Sequence, residues 1–429
     1  MPICRSETGL VAQVRRIRTD QVELGMYIHR LEGNWFRHPF WKARFVLDDP
    51  ARLRALRDSA VEWVLIDPTQ GRDVEMAAND RTPVAGSPKL SRAIAGAAMA
   101  GRRAVDLSQE MLRAERLARQ AGKAVNRLFL EARLGKLVAA SDVAPVVDEI
   151  YLSIQRNIYA FNGLLQCQSD QVHLYRHALA VAALMVALAQ RLGLAPAATR
   201  AAGMVGMMMD IALAQLSAEV GVADYRDLPP AVAKGHVLFG QTLMRAAGDI
   251  PPDVQTGCLH HHERLDGSGY PNGLSGATIG LFGRMAAVCD SYDQLVTGTP
   301  DTPALDPARA LGVIAAQPHL FDAMIAARLV EAVGVYPIGS FVRLRSGRLA
   351  MVVDQDEADV ALPTVRIFAS IDVAGGAMVP CRQATLALGQ CYGEDAIAGI
   401  ADAAELRLPP LDRLREELMA GALRAANRA

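Results

Sequence analysis

Six of the nine histidines fall between positions 173 and 262: His173, His177, His236, His260, His261 and His262. Imidazoles gathered in one part of a chain point to metal chemistry, because imidazole with carboxylate suits iron, manganese or zinc. His173 and His177 are four apart, so one helix face presents both. His261 and His262 are adjacent, about 100° apart on a helix. Both serve one centre only if it holds two metals or wraps the helix edge. Asp210 follows Met207-Met208-Met209 and Asp290 follows Ala286-Ala287-Val288-Cys289. A carboxylate in such apolar surroundings is costly unless paired or metal-bound. Bland readings stand beside these. For His173 a structural role weighs as much as a ligand role, and the run His260-His261-His262 suits a solvated helix end as well as a ligand set. His29, His38 and His319 read as surface or capped core residues, and the methionines of 204–209 as core packing.

The elements that must position these residues are mainly helical. From 104 to 335 apolar residues recur three and four apart. The spacing predicts helices over 107–134, 146–165, 172–192, 197–216, 230–247, 252–263 and 284–295, and one or two more over 307–333. Residues 267–283 form a Gly-rich loop. Before this region lies a small α+β unit, with strands over 22–31 and 61–66, a second apolar-aromatic stretch over 35–47 interrupted by Pro39, and a short helix opened by Asp49-Pro50. After Tyr336-Pro337 the pattern changes to a hairpin around Ser346-Gly347, a third strand over 365–371 and a terminal helix over 411–426. The domains expected are 1–75 (α+β), a polar linker over 76–103, a helical domain over 104–335, and a β-rich extension over 336–429.

Composition narrows the function classes. The 45 Lys+Arg and 46 Asp+Glu residues nearly cancel to a net charge of -1. No global basic field points to DNA or to an anionic membrane. The six cysteines are scattered without a C-x-x-C pair, which suits a reducing compartment. The apolar run over 178–189 is shorter than the roughly 20 residues of a membrane span and reads as a buried helix. No apolar leader is visible at the N-terminus, so a cytoplasmic location is expected. The helix near 107–134 is either a homodimerisation element or packed on its own domain.

The segment His261-His262-Glu263-Arg264-Leu265-Asp266-Gly267-Ser268-Gly269-Tyr270-Pro271 fills every defined position of H-H-E-x-x-D-G-x-G-Y-P. On it the chain resembles the HD-GYP branch of the HD phosphohydrolase superfamily, proteins of bacterial cyclic di-GMP signalling. Other motifs align in order. Tyr175-Arg176-His177 resembles the first ligand histidine, Met209-Asp210-Ile211-Ala212-Leu213 lies where the family has H-D-I-G-K, and His236 resembles the histidine of H-P-x-x-G. Asp290-Ser291-Tyr292-Asp293-Gln294-Leu295 resembles the D-x-x-D-A-L helix. The resemblance covers about 140–335, and the flanks resemble the small accessory domain and C-terminal extension of the same subgroup.

The resemblance implies an HD-type helical bundle holding two or three divalent ions, iron or manganese. The implied ligands are His177, Asp210, His236, His261, His262 and Asp290, with Asp210 bridging and central to catalysis. Glu263 and Asp266 would order the motif. Arg264, Gly269, Tyr270 and Pro271 would lie beside the substrate, and the GYP loop would also contact a protein partner, for example a diguanylate cyclase domain. The chain departs from the family at Met209, a thioether in place of the histidine of the HD pair, and at Leu213, in place of the lysine. Thr299-Pro300-Asp301-Thr302 stands where R-P-Y-R is usual. Each lost charged hydrogen bond to phosphate weakens binding by about 1.5–3 kcal/mol. Arg264 and Arg284 are the nearest substitutes. The expectation is a regulatory or interaction protein with impaired catalysis and weakened cyclic di-GMP binding. The alternative is an active phosphodiesterase that hydrolyses cyclic di-GMP to pGpG or GMP, or acts on a related nucleotide, at an altered metal site.

Overall fold

The computed structural model describes residues 15–32, 45–57, 63–66, 68, 70–72, 107–167, 173–298, 302–356, 359–371, 378–391, 395–402, 406, 408 and 410–426. The linker expected over 76–103, Trp35, His38, Pro39, Cys4 and Thr299-Pro300-Asp301 lie outside the described residues. The chain divides into two compact units, Met1–Arg102 and Arg103–Ala429.

Among the described residues, the first unit holds a four-stranded antiparallel sheet and one α-helix. β1 (Arg15–Arg18), β2 (Tyr27–Glu32), β3 (Phe45–Val46) and β4 (Trp63–Ile66) are ordered β1-β4-β2-β3, and α1 (Pro50–Arg57) joins the last two. The strand expected over 22–31 begins only at Tyr27, because Gly25 turns the chain at φ +87° and its N–H donates to Leu47 O. Ile17, Val22, Met26, Ile28, Leu47, Leu56, Val64 and Ile66 form the core.

The second unit is mainly helical. α2 (Leu107–Arg133), α3 (Ala140–Arg156), α4 (Ala160–Gln166), α5 (His173–Arg191), α6 (Pro196–Met208) and α7 (Ile211–Val220) come first. Then follow α8 (Pro230–Lys234), α9 (His236–Ala247), α10 (Pro252–His260), α11 (Leu281–Thr297), α12 (Pro307–Ala315) and α13 (Ala323–Val333). α2 packs on α3, α4, α5 and α7 of its own unit, through a buried stripe that includes Met111, Leu117, Val125 and Phe129.

Three long helices expected from periodicity are each two. The first breaks at Asn157, whose Oδ1 accepts from Tyr159 N (2.9 Å) and Ala160 N (3.0 Å) and so caps α4. The second breaks at Met209-Asp210, where Asp210 has φ -107° and ψ 9°. The third breaks at Gly235. Two of these breaks place Asp210 and His236 at helix starts, facing inward. α5 is buried on nearly every side. α6 lies close against it through Gly206, where a Cβ would meet the Ala182 backbone at 2.7 Å. That approach brings the α6–α7 junction beside His177 of α5.

The C-terminal region forms a five-stranded antiparallel sheet, β8-β7-β6-β5-β9, from β5 (Phe341–Leu344), β6 (Arg348–Asp354), β7 (Thr364–Ile371), β8 (Met378–Ala387) and β9 (Ile397–Ile400). It is closed by α14 (Leu411–Ala426). It packs on the helices rather than standing apart. Asp306 at the start of α12 accepts from Phe341 N at 2.9 Å, and Arg415 of α14 donates to Gly339 O at 3.1 Å. The five described cysteines are free.

Candidate metal centre

Four imidazoles and two carboxylates converge where α5, the α6–α7 junction, α9, the end of α10 and α11 meet. His177 Nε2 lies 3.2 Å from Asp210 Oδ2 and 3.1 Å from Asp290 Oδ1. On the other side of Asp210, Oδ1 lies 3.1 Å from His236 Nε2 and 3.6 Å from His261 Nε2. His262 Nδ1 lies 3.9 Å from Asp290 Oδ2. Two ligand-like groups result, Asp210 with His236, His261 and His262, and His177 with Asp210 and Asp290. They share Asp210, which turns one oxygen to each. All six expected ligands are therefore brought together. His173 is exposed at the start of α5 and belongs to neither group.

Three rings are pinned from behind in one tautomer. His177 Nδ1 donates to Asp293 Oδ2 at 2.7 Å, His236 Nδ1 to Ala233 O at 2.5 Å, and His261 Nδ1 to Cys258 O at 2.6 Å. Each Nε2 is left pointing at Asp210. His236 Nε2 and His261 Nε2 are only 3.2 Å apart. Two imidazole nitrogens and a carboxylate oxygen at such distances need a proton or a cation among them. Asp290 adds a second sign. Its Oδ1 accepts from Gln294 Nε2 at 2.7 Å, while its Oδ2 is buried without a hydrogen-bond partner. Buried carboxylate oxygens are normally satisfied. The donor set thus fits divalent cations.

The electrostatics agree. Burial opposes charge on His177, yet Asp210, Asp290 and Asp293 hold its imidazole pKa well above the ordinary value. Burial would raise Asp210, but His177, His236 and His261 hold its carboxyl well below the usual range. For His262 burial dominates, and with His261 and His236 it pushes the ring well below the ordinary value. The pocket stabilises cationic charge next to its carboxylates and keeps His262 neutral, the form that ligates metal.

The loop after α10 is built around Glu263. This buried carboxylate accepts Asn272 N at 2.8 Å and Leu274 N at 2.9 Å. Asp266 Oδ1 accepts from Ser268 N at 2.9 Å and Ser268 Oγ at 2.6 Å. Gly269 lies so close to the preceding turn that a Cβ would meet Arg264 N, Glu263 Cα and His262 O at 2.5 Å. Tyr270 stacks on His262 with centroids 4.6 Å apart, and Tyr270-Pro271 is cis. Arg264 donates to His261 O (3.3 Å) and Glu263 O (3.0 Å), approaches Ser291 Oγ (3.5 Å) and lies over the Phe321 ring. Much of its fork thus braces the protein. Arg284 pairs with Asp322 at 2.6 Å and donates to Ile279 O, so it is committed elsewhere.

Met209 is fully buried beside Asp210 and Leu213 sits buried in the first turn of α7. Three further residues take roles that the motifs did not assign. Asp293 orients His177, and its position three past Asp290 on one helix face was the available signal. Gln294 holds Asp290. Lys234 lies exposed over the Tyr270 ring, 5.6 Å from its centroid, a proximity that only tertiary structure creates.

The chain is similar to known proteins. Residues 166–325 match the family described as HD domain, and residues 14–143 match a domain of unknown function, DUF3391. "Cyclic di-GMP phosphodiesterase PA4108" of Pseudomonas aeruginosa is 33% identical over 94% of this chain and 95% of its own length. "Cyclic di-GMP phosphodiesterase response regulator RpfG" of Xanthomonas campestris pv. campestris is 38% identical over 23% of this chain and 28% of its own. Among solved structures, "Bd1817, a HDG"Y"P protein from Bdellovibrio bacteriovorus" aligns with 74% of this chain and 98% of its own at 15% identity and a TM-score of 0.42.

Proposed function

Because the chain belongs to the HD-GYP branch of the HD phosphohydrolase superfamily, we propose that it is a metal-binding regulatory member of cyclic di-GMP signalling with strongly reduced hydrolysis. Its relative from Pseudomonas, which it matches nearly end to end, carries the name of a cyclic di-GMP phosphodiesterase. The observation that carries the reading is Met209. It is buried next to Asp210 where the family has a histidine, so the group of His177, Asp210 and Asp290 contains one imidazole. A thioether is a weak ligand for iron(II) or manganese(II). That side of the centre binds its ion weakly, while Asp210, His236, His261 and His262 keep a full set.

When bound, the ions lower the pKa of a coordinated water and stabilise charge on phosphoryl oxygens. The protein's own part is to hold a cyclic dinucleotide against Asp210 and the Gly269-Tyr270-Pro271 loop. Leu213 offers no cation there, and Arg284 is tied to Asp322. Arg264 and Lys234 remain near the loop. Weak nucleotide binding follows, and the braced loop serves as a surface for a protein partner such as a diguanylate cyclase domain, inside the cytoplasm.

A second reading, an active phosphodiesterase on cyclic di-GMP or a related cyclic dinucleotide, is favoured by the convergence of all six ligands around a shared Asp210. Anaerobic loading with iron or manganese, metal quantification and a cyclic di-GMP hydrolysis assay separate the two. Reduced hydrolysis predicts one firmly held ion per chain and little pGpG or GMP. Two firmly held ions with turnover abolished by Asp210→Ala would establish the second reading.

A further inference from the structure

Behind His177 the wall of the centre is polar, and part of that polarity is unanswered within the protein. Asn162 and Gln166 stand one turn apart on α4. Asn162 is 8% exposed. Neither its Oδ1 nor its Nδ2 has a hydrogen-bond partner among protein atoms, and the same holds for Gln166 Oε1. Gln166 Nε2 donates to the Tyr292 hydroxyl at 3.3 Å. Two small cavities meet at this pair. One is lined by Tyr159, Asn162, Gln166 and Tyr292 among others, the second by Asn162, Gln166, Arg176 and Asp293 among others. Each offers about 10 Å³ to the centre of a water molecule, room for one water. A buried water needs about two to four polar partners, and the second cavity supplies them.

Asp293 is the link to the metal centre. Its Oδ2 accepts from His177 Nδ1 at 2.7 Å and from Thr297 Oγ1 at 3.5 Å, and Arg176 donates to that same Thr297 hydroxyl. A carboxylate that must hold a ring in one orientation does so better when its other side is anchored.

We propose that each cavity binds one ordered water, and that the water among Asn162, Gln166, Arg176 and Asp293 anchors the Asp293 carboxylate and so orients His177. Asn162 and Gln166 are then positioning residues for a ligand they do not touch. The positioning role rests on the reading of His177 as a metal ligand, whereas the water sites do not.

The test has two arms. A crystal structure of the full, metal-free chain at a resolution that defines ordered water shows one water in each cavity, hydrogen-bonded to Asn162 or Gln166. Cavities without water density overturn the hydration sites. In the second arm manganese binding is titrated by calorimetry for Gln166→Leu and for Asn162→Leu, each checked for its fold by circular dichroism. Affinity falls about 3- to 10-fold, less than the roughly 10- to 100-fold usual when a direct partner of a ligand is lost. Asn162→Ser, which keeps a hydrogen-bonding oxygen, retains most of it. Unchanged affinity in the folded leucine variants overturns the positioning role. A wild-type chain that binds no manganese defeats the metal centre and the positioning role together, and the water density is still decided by the crystal.

Discussion

Replacing Glu263 by alanine tests whether the loop beside the centre is held by one buried carboxylate. That side chain is 1% exposed and accepts two backbone N–H groups, from Asn272 at 2.8 Å and Leu274 at 2.9 Å. A hydrogen bond to a charged group is worth about 1.5–3 kcal/mol. Two of them set an upper range of about 3–6 kcal/mol. Asn272 is exposed and Leu274 half-buried, so both N–H groups regain water on loss of the carboxylate. That recovery halves the cost to about 1.5–3 kcal/mol. The loss falls on the 262–275 segment, so Tyr270 leaves the His262 ring and metal binding weakens without its disappearance. Urea unfolding followed by circular dichroism gives the stability change, and manganese titration gives the affinity. A destabilisation under about 0.5 kcal/mol, within the range of ordinary surface substitutions, with unchanged manganese affinity would refute the reasoning. Abolished metal binding in a fully stable protein would also refute it, because it would make Glu263 a ligand.

Gly269→Ala drives a methyl into backbone atoms at 2.5 Å and costs about 1–3 kcal/mol as overpacking, measured by chemical unfolding. Asp290→Asn removes the carboxylate whose Oδ2 is buried without a partner; manganese titration should show the weak binding step on the His177 side lost, and the firmly held ion among His236, His261 and His262 kept. Manganese affinity should rise with pH across neutrality. Carboxylates hold the imidazole pKa of His177 well above its ordinary value and that of His236 above it, so protons occupy these rings until the pH passes those raised values, and each ion must displace them. A manganese affinity that stays constant as the pH is raised would contradict this competition.

The sequence carried most of the helical framework, because its apolar spacing reflects burial that the fold then realises, as in α5 and α11. What periodicity could not show was the breaks. Asn157 caps α4 with its own side chain, and Asp210 leaves helical geometry at a junction that hydropathy reads as continuous. The edge strand β8 escaped because its exposed residues show no alternation. The six candidate ligands and the bridging place of Asp210 were nameable from motifs, but which imidazoles fall on which side of Asp210 was not. The orienting roles of Asp293 and Gln294 were not legible in their motif, nor were the pinning carbonyls of Ala233 and Cys258, since backbone acceptors leave no trace in residue type. Arg284 looked available as a phosphate cation and is held by Asp322.

The central claim, a retained centre whose chemistry is curtailed at Met209 and Leu213, is tested most directly by restoring them. Wild-type protein and the Met209→His/Leu213→Lys double variant are loaded anaerobically with iron or manganese, and cyclic di-GMP hydrolysis and metal content are measured side by side. Little turnover and one tightly held ion are expected in the wild type, with a second ion and clear hydrolysis in the variant. Robust hydrolysis by the wild type, with two ions bound and no gain on restoration, would contradict it.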